Sequence, residues 1–159
     1  MGAKSEAIAE QFEGKVLEAI ATLKKISDAD WKKMTKAEKW SVGVTAHHLA
    51  GGPGAVAGIV TALASGKFRS DFTRAMLDEM NTAHAKEYAH CSRAETIALL
   101  EKGAATAAAV VRGLSDDQLA RSGTVFADAP PMSVEQLVVG GLIDHIDEHL
   151  GSIRKTVGG

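Results

Sequence analysis

The chain has 159 residues, 45% of them hydrophobic, and a formal net charge of −2. That length suffices for one domain with a buried core, and a near-neutral charge without a basic run gives no electrostatic footprint for nucleic acid. One cysteine, Cys91, excludes an intrachain disulfide and fits a reducing, cytoplasmic setting; no apolar run reaches the ~18 residues of a membrane span, and the opening Met-Gly-Ala-Lys-Ser-Glu lacks the apolar core of a signal peptide.

From Ser5 to Ile26, Ile8, Phe12, Val16, Leu17, Ile20, Leu23 and Ile26 recur at helical spacing, which predicts an amphipathic helix of about six turns. Ser27-Asp-Ala-Asp30 and Thr35-Lys-Ala-Glu38 have the form of helix caps around a connecting segment anchored by Trp31, Met34 and Trp40. Ser41 suits the N-cap of a second helix carrying Val44, His47 and His48. Gly51-Gly52-Pro53-Gly54 is expected to kink or break that helix. The chain then resumes from Ala55 to Ala64 and stops at Ser65-Gly66 on a glycine cap.

A third helix is expected from near Asp71 toward His90. Downstream, the capping box Ser92-Arg-Ala-Glu95 sets a bend or short break before the run to Arg112. Ser115-Asp-Asp-Gln118 opens a short turn, and Ala129-Pro130-Pro131 ends an irregular stretch. Ser133-Val-Glu-Gln136 caps a final helix with Leu137, Val138, Gly141, Leu142, His145, His149 and Ile153 along one broad face. No stretch alternates with period two and none repeats, so the expected fold is all-α: four main helices in a single domain spanning residues 1–159.

The chemistry concentrates in the histidines. His145-Ile-Asp-Glu-His149 sets two imidazoles one turn apart on one helix face, the geometry of two nitrogen ligands to one metal ion. Such pairs also arise by chance on surface helices. Here both flank an apolar face, where buried imidazole nitrogens need partners. A metal would satisfy them, as would water or a carboxylate. The second helix supplies a third candidate ligand. His47 and His48 are adjacent and diverge by about 100°, so only one can face a given partner, and periodicity leaves the choice open.

Trp40-Ser41, then His48-Leu49-Ala50, and finally His145-x-x-x-His149-Leu-Gly-Ser-Ile153 resemble two patterns of the DinB-like (DinB/YfiT) four-helix-bundle superfamily of metal-dependent proteins: its helix-two "W-S…H-L-A" and its final-helix "H-x-x-x-H-x-G-Q-I". The order and separation of these motifs fit nearly the whole chain. Carried over residue by residue, the resemblance implies His48, His145 and His149 as metal ligands and favours His48 over His47. It also implies a divalent ion with open coordination positions, without selecting Zn, Ni, Fe or Mn. The implied activity is that of a transferase or hydrolase on a small-molecule substrate, with a low-molecular-weight thiol as co-reactant. The alternative is a non-catalytic helical stress-response protein whose metal is structural or vestigial. The sequence departs from the pattern at Gly51-Gly52-Pro53-Gly54 and at Ser152, where the family often has glutamine.

Other polar residues read more plainly. Asp144 and Glu148 should be solvated charges, Asn81 a polar residue near a helix start, and His84 and His90 surface or helix-end residues outside the ligand set. Cys91 reads as a small, partly buried filler at a helix junction. The small residues from Ala104 to Ala109 and Gly140-Gly141 allow close helix packing, either inside one bundle or between two copies in a homodimer.

Overall fold

In a computed structural model, residues 2–66 and 70–158 are described. Helix α1 (Ala3–Lys25) buries Ile8, Phe12, Val16, Ala19 and Leu23, spaced by three and four residues. Leu17, which the periodicity placed on the same stripe, is 68% exposed, because it lies next to Val16 and so points about 100° away from the buried side. Ser27 caps the single turn α2 (Asp28–Trp31) by accepting the Asp30 N–H. Thr35 caps no helix. Its N–H and hydroxyl both donate to the Trp40 carbonyl, closing a loop that a Met34–Ser41 bridge completes.

Helix α3 (Val42–Ala64) begins where expected, with Ser41 Oγ accepting the Val44 N–H at 3.1 Å. It does not break at the glycine–proline stretch but runs unbroken through a buried Pro53. Packing supplies the reason. A Cβ on Gly103 would sit 3.2 Å from the Gly54 nitrogen, so glycines on both helices let the α3 and α5 backbones approach closely around the proline. Tertiary contact thus outweighs the local cost of a helical proline, about 3 kcal/mol.

The stretch after Asp71 forms two helices. Thr73 caps α4 (Arg74–Glu87), and the Ser92–Glu95 capping box opens α5 (Arg93–Arg112). Helix α4 buries none of its residues, and Met76 and Met80 stand exposed. Helix α5 buries Leu100, Ala104, Ala107, Ala108 and Val111, so three of its alanines are used inside the fold while Ala105 and Ala109 face outward. A short α6 (Asp116–Ala120) and a two-residue antiparallel pair, β1 (Ser122–Gly123) with β2 (Met132–Ser133), lead into the last helical run. That run is α7 (Val134–Val138), a π-helical turn (Val139–Asp144) and α8 (His145–Val157), ended by Gly158 at φ +78°.

The architecture is all-α. Helix α5 packs on α3 and α1, and the last helical run packs on α3 and α1 from the other side, while α4 lies against the outside of α3. Between the long helices lie Phe12, Leu23, Leu49, Leu100, Leu142, Ile146, Leu150 and Ile153, all fully buried. Each such side chain contributes about 1.5–3 kcal/mol by leaving water. No helix among the described residues is long and apolar enough to cross a membrane.

Candidate metal centre

Two helices bring the histidines together. On α3, His48 points toward α8 while the adjacent His47 points toward α4. The π turn before His145 takes one more residue than an α turn, which offsets the helix phase on its two sides. Leu137 and Val138 before it, and Ile146, Leu150 and Ile153 after it, therefore all reach the core, while His145 and His149 face α3.

One ligand atom from each of His48, His145 and His149 lies within 4.8 Å of the other two. The His48 and His145 Nε2 atoms are 3.2 Å apart, and the His149 ring stands edge-on to His48 with centroids 4.7 Å apart. A Cβ on Gly52 would come within 2.7 Å of His145 Cε1. The glycine that looked like a helix breaker is thus the seat of the His145 ring. Trp40, eight residues before His48, presents an edge contact to it at 5.2 Å between centroids.

Sequence reasoning missed Glu38. Its Oε2 accepts from His149 Nδ1 at 3.2 Å and its Oε1 accepts from Ser152 Oγ at 2.5 Å. The side chains of Glu38 and His149 are each only 9% exposed. Glu38 had the look of a capping-box carboxylate three residues after Thr35, a purely local reading. The one sequence signal pointing elsewhere was Ser152, a short hydroxyl three residues after His149 where the related pattern carries an amide.

His47 belongs to a neighbouring group, which meets the cluster only through an edge contact of His84 with His48 at 5.9 Å between centroids. Its Nδ1 lies 2.7 Å from His84 Nε2, and its ring stacks on Tyr88 at 3.9 Å. His84 is therefore half-buried rather than on an open helical surface, whereas His90 is exposed. Neither joins the three-donor cluster. Asp144 and Glu148 are exposed, and Asn81 is half-buried. Cys91 is half-buried with its Sγ donating to the Gly43 carbonyl at 3.3 Å, and burial pushes its thiol pKa up, which opposes reactivity.

Burial, reinforced by the neighbouring imidazoles, lowers the His48 pKa to about 3. Burial followed by His149 lowers that of His145 to about 4. Both rings are therefore neutral near pH 7, the form a metal ligand must have. Only one proton fits between two facing Nε2 atoms, and His145 Nδ1 is buried without a hydrogen-bond partner among the described residues. Three converging imidazoles form a nitrogen donor set that could hold a divalent transition ion, and three such ligands would leave room for an exogenous one.

An all-helical fold with this histidine constellation defines the class: the chain is DinB/YfiT-like. Within that class it belongs to the family described as the mycothiol maleylpyruvate isomerase N-terminal domain, whose model matches residues 17–138. His48 falls inside that match, and His145 and His149 lie beyond it. A crystal structure of a mycothiol-dependent maleylpyruvate isomerase superposes with a TM-score of 0.75 at 12% identity, covering 94% of this chain and 60% of that one. A histidine-to-alanine mutant of such an isomerase gives a TM-score of 0.71 at 12% identity, covering 96% and 65%. The chain thus spans less than two thirds of these structural relatives, and the likeness is one of fold. No protein of curated function matches the sequence.

Proposed function

We propose that this chain is a single metal-binding domain in which His48, His145 and His149 hold one divalent ion, at which a low-molecular-weight thiol is activated for transfer to, or isomerisation of, a small-molecule substrate. The supporting observation is the convergence of three largely buried imidazoles from two helices, two of them, His48 and His145, held neutral. When bound, such an ion supplies positive charge that lowers the pKa of a coordinated thiol or water. The chain's own contribution is geometric. The α3 cap and the π turn aim the rings, Gly52 admits His145, and Trp40 covers one side of His48. The family membership favours a thiol of the mycothiol type over water as the activated ligand, hence transfer or isomerisation over hydrolysis. A reducing cytoplasm would keep that thiol available.

Metal analysis of protein purified without a histidine tag tests this reading, with a His145→Ala/His149→Ala variant alongside. One ion per chain in the native protein and none in the variant is the expected result. A native protein that stays metal-free after reconstitution sinks the proposal. Turnover of electrophiles with and without mycothiol then separates thiol transfer from hydrolysis. A large drop in melting temperature on chelation, without thiol binding at the ion, would make the metal structural instead.

A further inference from the structure

Glu38 is a carboxylate withdrawn from water, and no lysine or arginine pairs with it among the described residues. Burying such a group is costly unless its oxygens are satisfied. Here both are, by His149 Nδ1 and by the Ser152 hydroxyl. The segment delivering it is held on several sides. The Met34–Ser41 bridge closes the base of the loop, and Thr35 donates to the Trp40 carbonyl through its N–H at 2.8 Å and its hydroxyl at 3.1 Å. Lys39 sits between Glu38 and Trp40 at φ 61°, the one non-glycine residue with positive φ among those described. That conformation costs roughly 1 kcal/mol and persists only where the surroundings over-determine it. Its two neighbours in sequence, Glu38 and Trp40, are the residues that touch His149 and His48.

From this geometry we infer that Glu38, steadied by Ser152, is a positioning residue that fixes His149 with Nδ1 protonated and the Nε2 lone pair turned toward the metal. A carboxylate can only accept, so the hydrogen on that bond belongs to Nδ1, and the free pair is left on Nε2. Ser152 stands where the related pattern has an amide, and its short hydroxyl holds the carboxylate by the oxygen that His149 does not use. Serine and glutamate thus form a clamp on one ligand, fastened one helical turn beyond it. The inference rests on the metal reading for its purpose, but the ring state it specifies exists without metal.

The test therefore has two arms. In metal-free protein, long-range 1H–15N correlation spectra report the tautomer of each imidazole. His149 is expected in the Nδ1–H form in the native chain and in a mixture in Glu38→Ala. A native His149 found in the Nε2–H form overturns the inference whatever the metal result. In the second arm, Co2+ binding is measured by chelator competition and visible absorption. Glu38→Ala is expected to bind Co2+ about 10–100-fold more weakly, with an altered spectrum. Glu38→Gln, which keeps an accepting carbonyl, should regain most of the affinity, and Ser152→Ala should fall between. Native affinity and spectrum in Glu38→Ala would overturn the positioning role. Should Glu38→Ala fail to fold, the native tautomer and the Glu38→Gln and Ser152→Ala titrations still decide. Failure of the native chain itself to bind Co2+ would remove the metal reading while leaving the tautomer result to stand or fall alone.

Discussion

His47 and His48 are neighbours on one helix, yet they sit in different worlds. His48 faces α8 and meets His145 and His149, a tryptophan edge, the edge of His84 at 5.9 Å and, through His149, a buried carboxylate. His47 faces α4, a helix that buries nothing, and meets one histidine and one tyrosine. The difference teaches that which histidine joins a cluster depends on what the opposite element can hold still. Helix α8 is locked by Ile146, Leu150 and Ile153 in the core, and α4 has no such anchor.

The largest expected effect breaks that comparison directly. His48→Ala should abolish stoichiometric Zn2+ or Co2+ binding, a loss of roughly 100-fold or more in affinity, whereas His47→Ala should change it only a few-fold. Isothermal titration with each metal checks both, and equal losses would show that the two faces are not distinct. Next comes Gly52→Ala. Its new Cβ would overlap the His145 ring, so a displaced ring should cost about 10-fold in metal affinity and about 1–3 kcal/mol in stability by chemical denaturation. A tolerated alanine would mean that the His145 seat is looser than its geometry implies.

The pH dependence sharpens the comparison further. His48 and His145 titrate at about 3 and about 4 in the folded chain but near 6.5 when unfolded. As pH falls through 6.5, the unfolded chain takes up protons that the folded one refuses, so metal-free stability is full above that value and declines toward pH 4. The slope should be on the order of 1 kcal/mol per pH unit for each histidine. Denaturation midpoints between pH 7 and 4.5 measure it, and a His48→Gln/His145→Gln variant should flatten the slope. The smallest effect concerns the loop that serves His48 and His149 but not His47. Lys39→Gly removes the positive-φ strain and should raise stability by about 0.5 kcal/mol with Co2+ binding unchanged. A loss of stability there would mean that the Lys39 conformation carries no strain.

Hydrogen-bonding signals between near neighbours were legible in the sequence. Ser41, Ser92 with Glu95, and Ser133 with Gln136 cap the helices they were expected to cap, while Ser115 with Gln118, expected to open a turn, caps the short helix α6. The i, i+4 spacing of His145 and His149 likewise fixes a shared face wherever the helix forms. Three features stayed hidden. Helix α3 survives Pro53 because glycines of two helices meet there, 49 residues apart by the numbering of Gly54 and Gly103. Glu38 reaches His149 across a sequence separation of 111. Helix α4 lies outside the core, against α3, and buries none of its residues fully.

The chain by itself therefore determined an all-α fold, its cap positions and a two-histidine face, since these depend on bonds and spacings within a few residues. The tertiary structure placed His48 rather than His47 beside His145 and His149, which the motif resemblance had implied and the spacing had left open, and it alone seated His145 on Gly52 and turned a cap-like glutamate into the partner of His149. Those outcomes depend on which distant surfaces are pressed together, and a one-dimensional pattern holds no record of that.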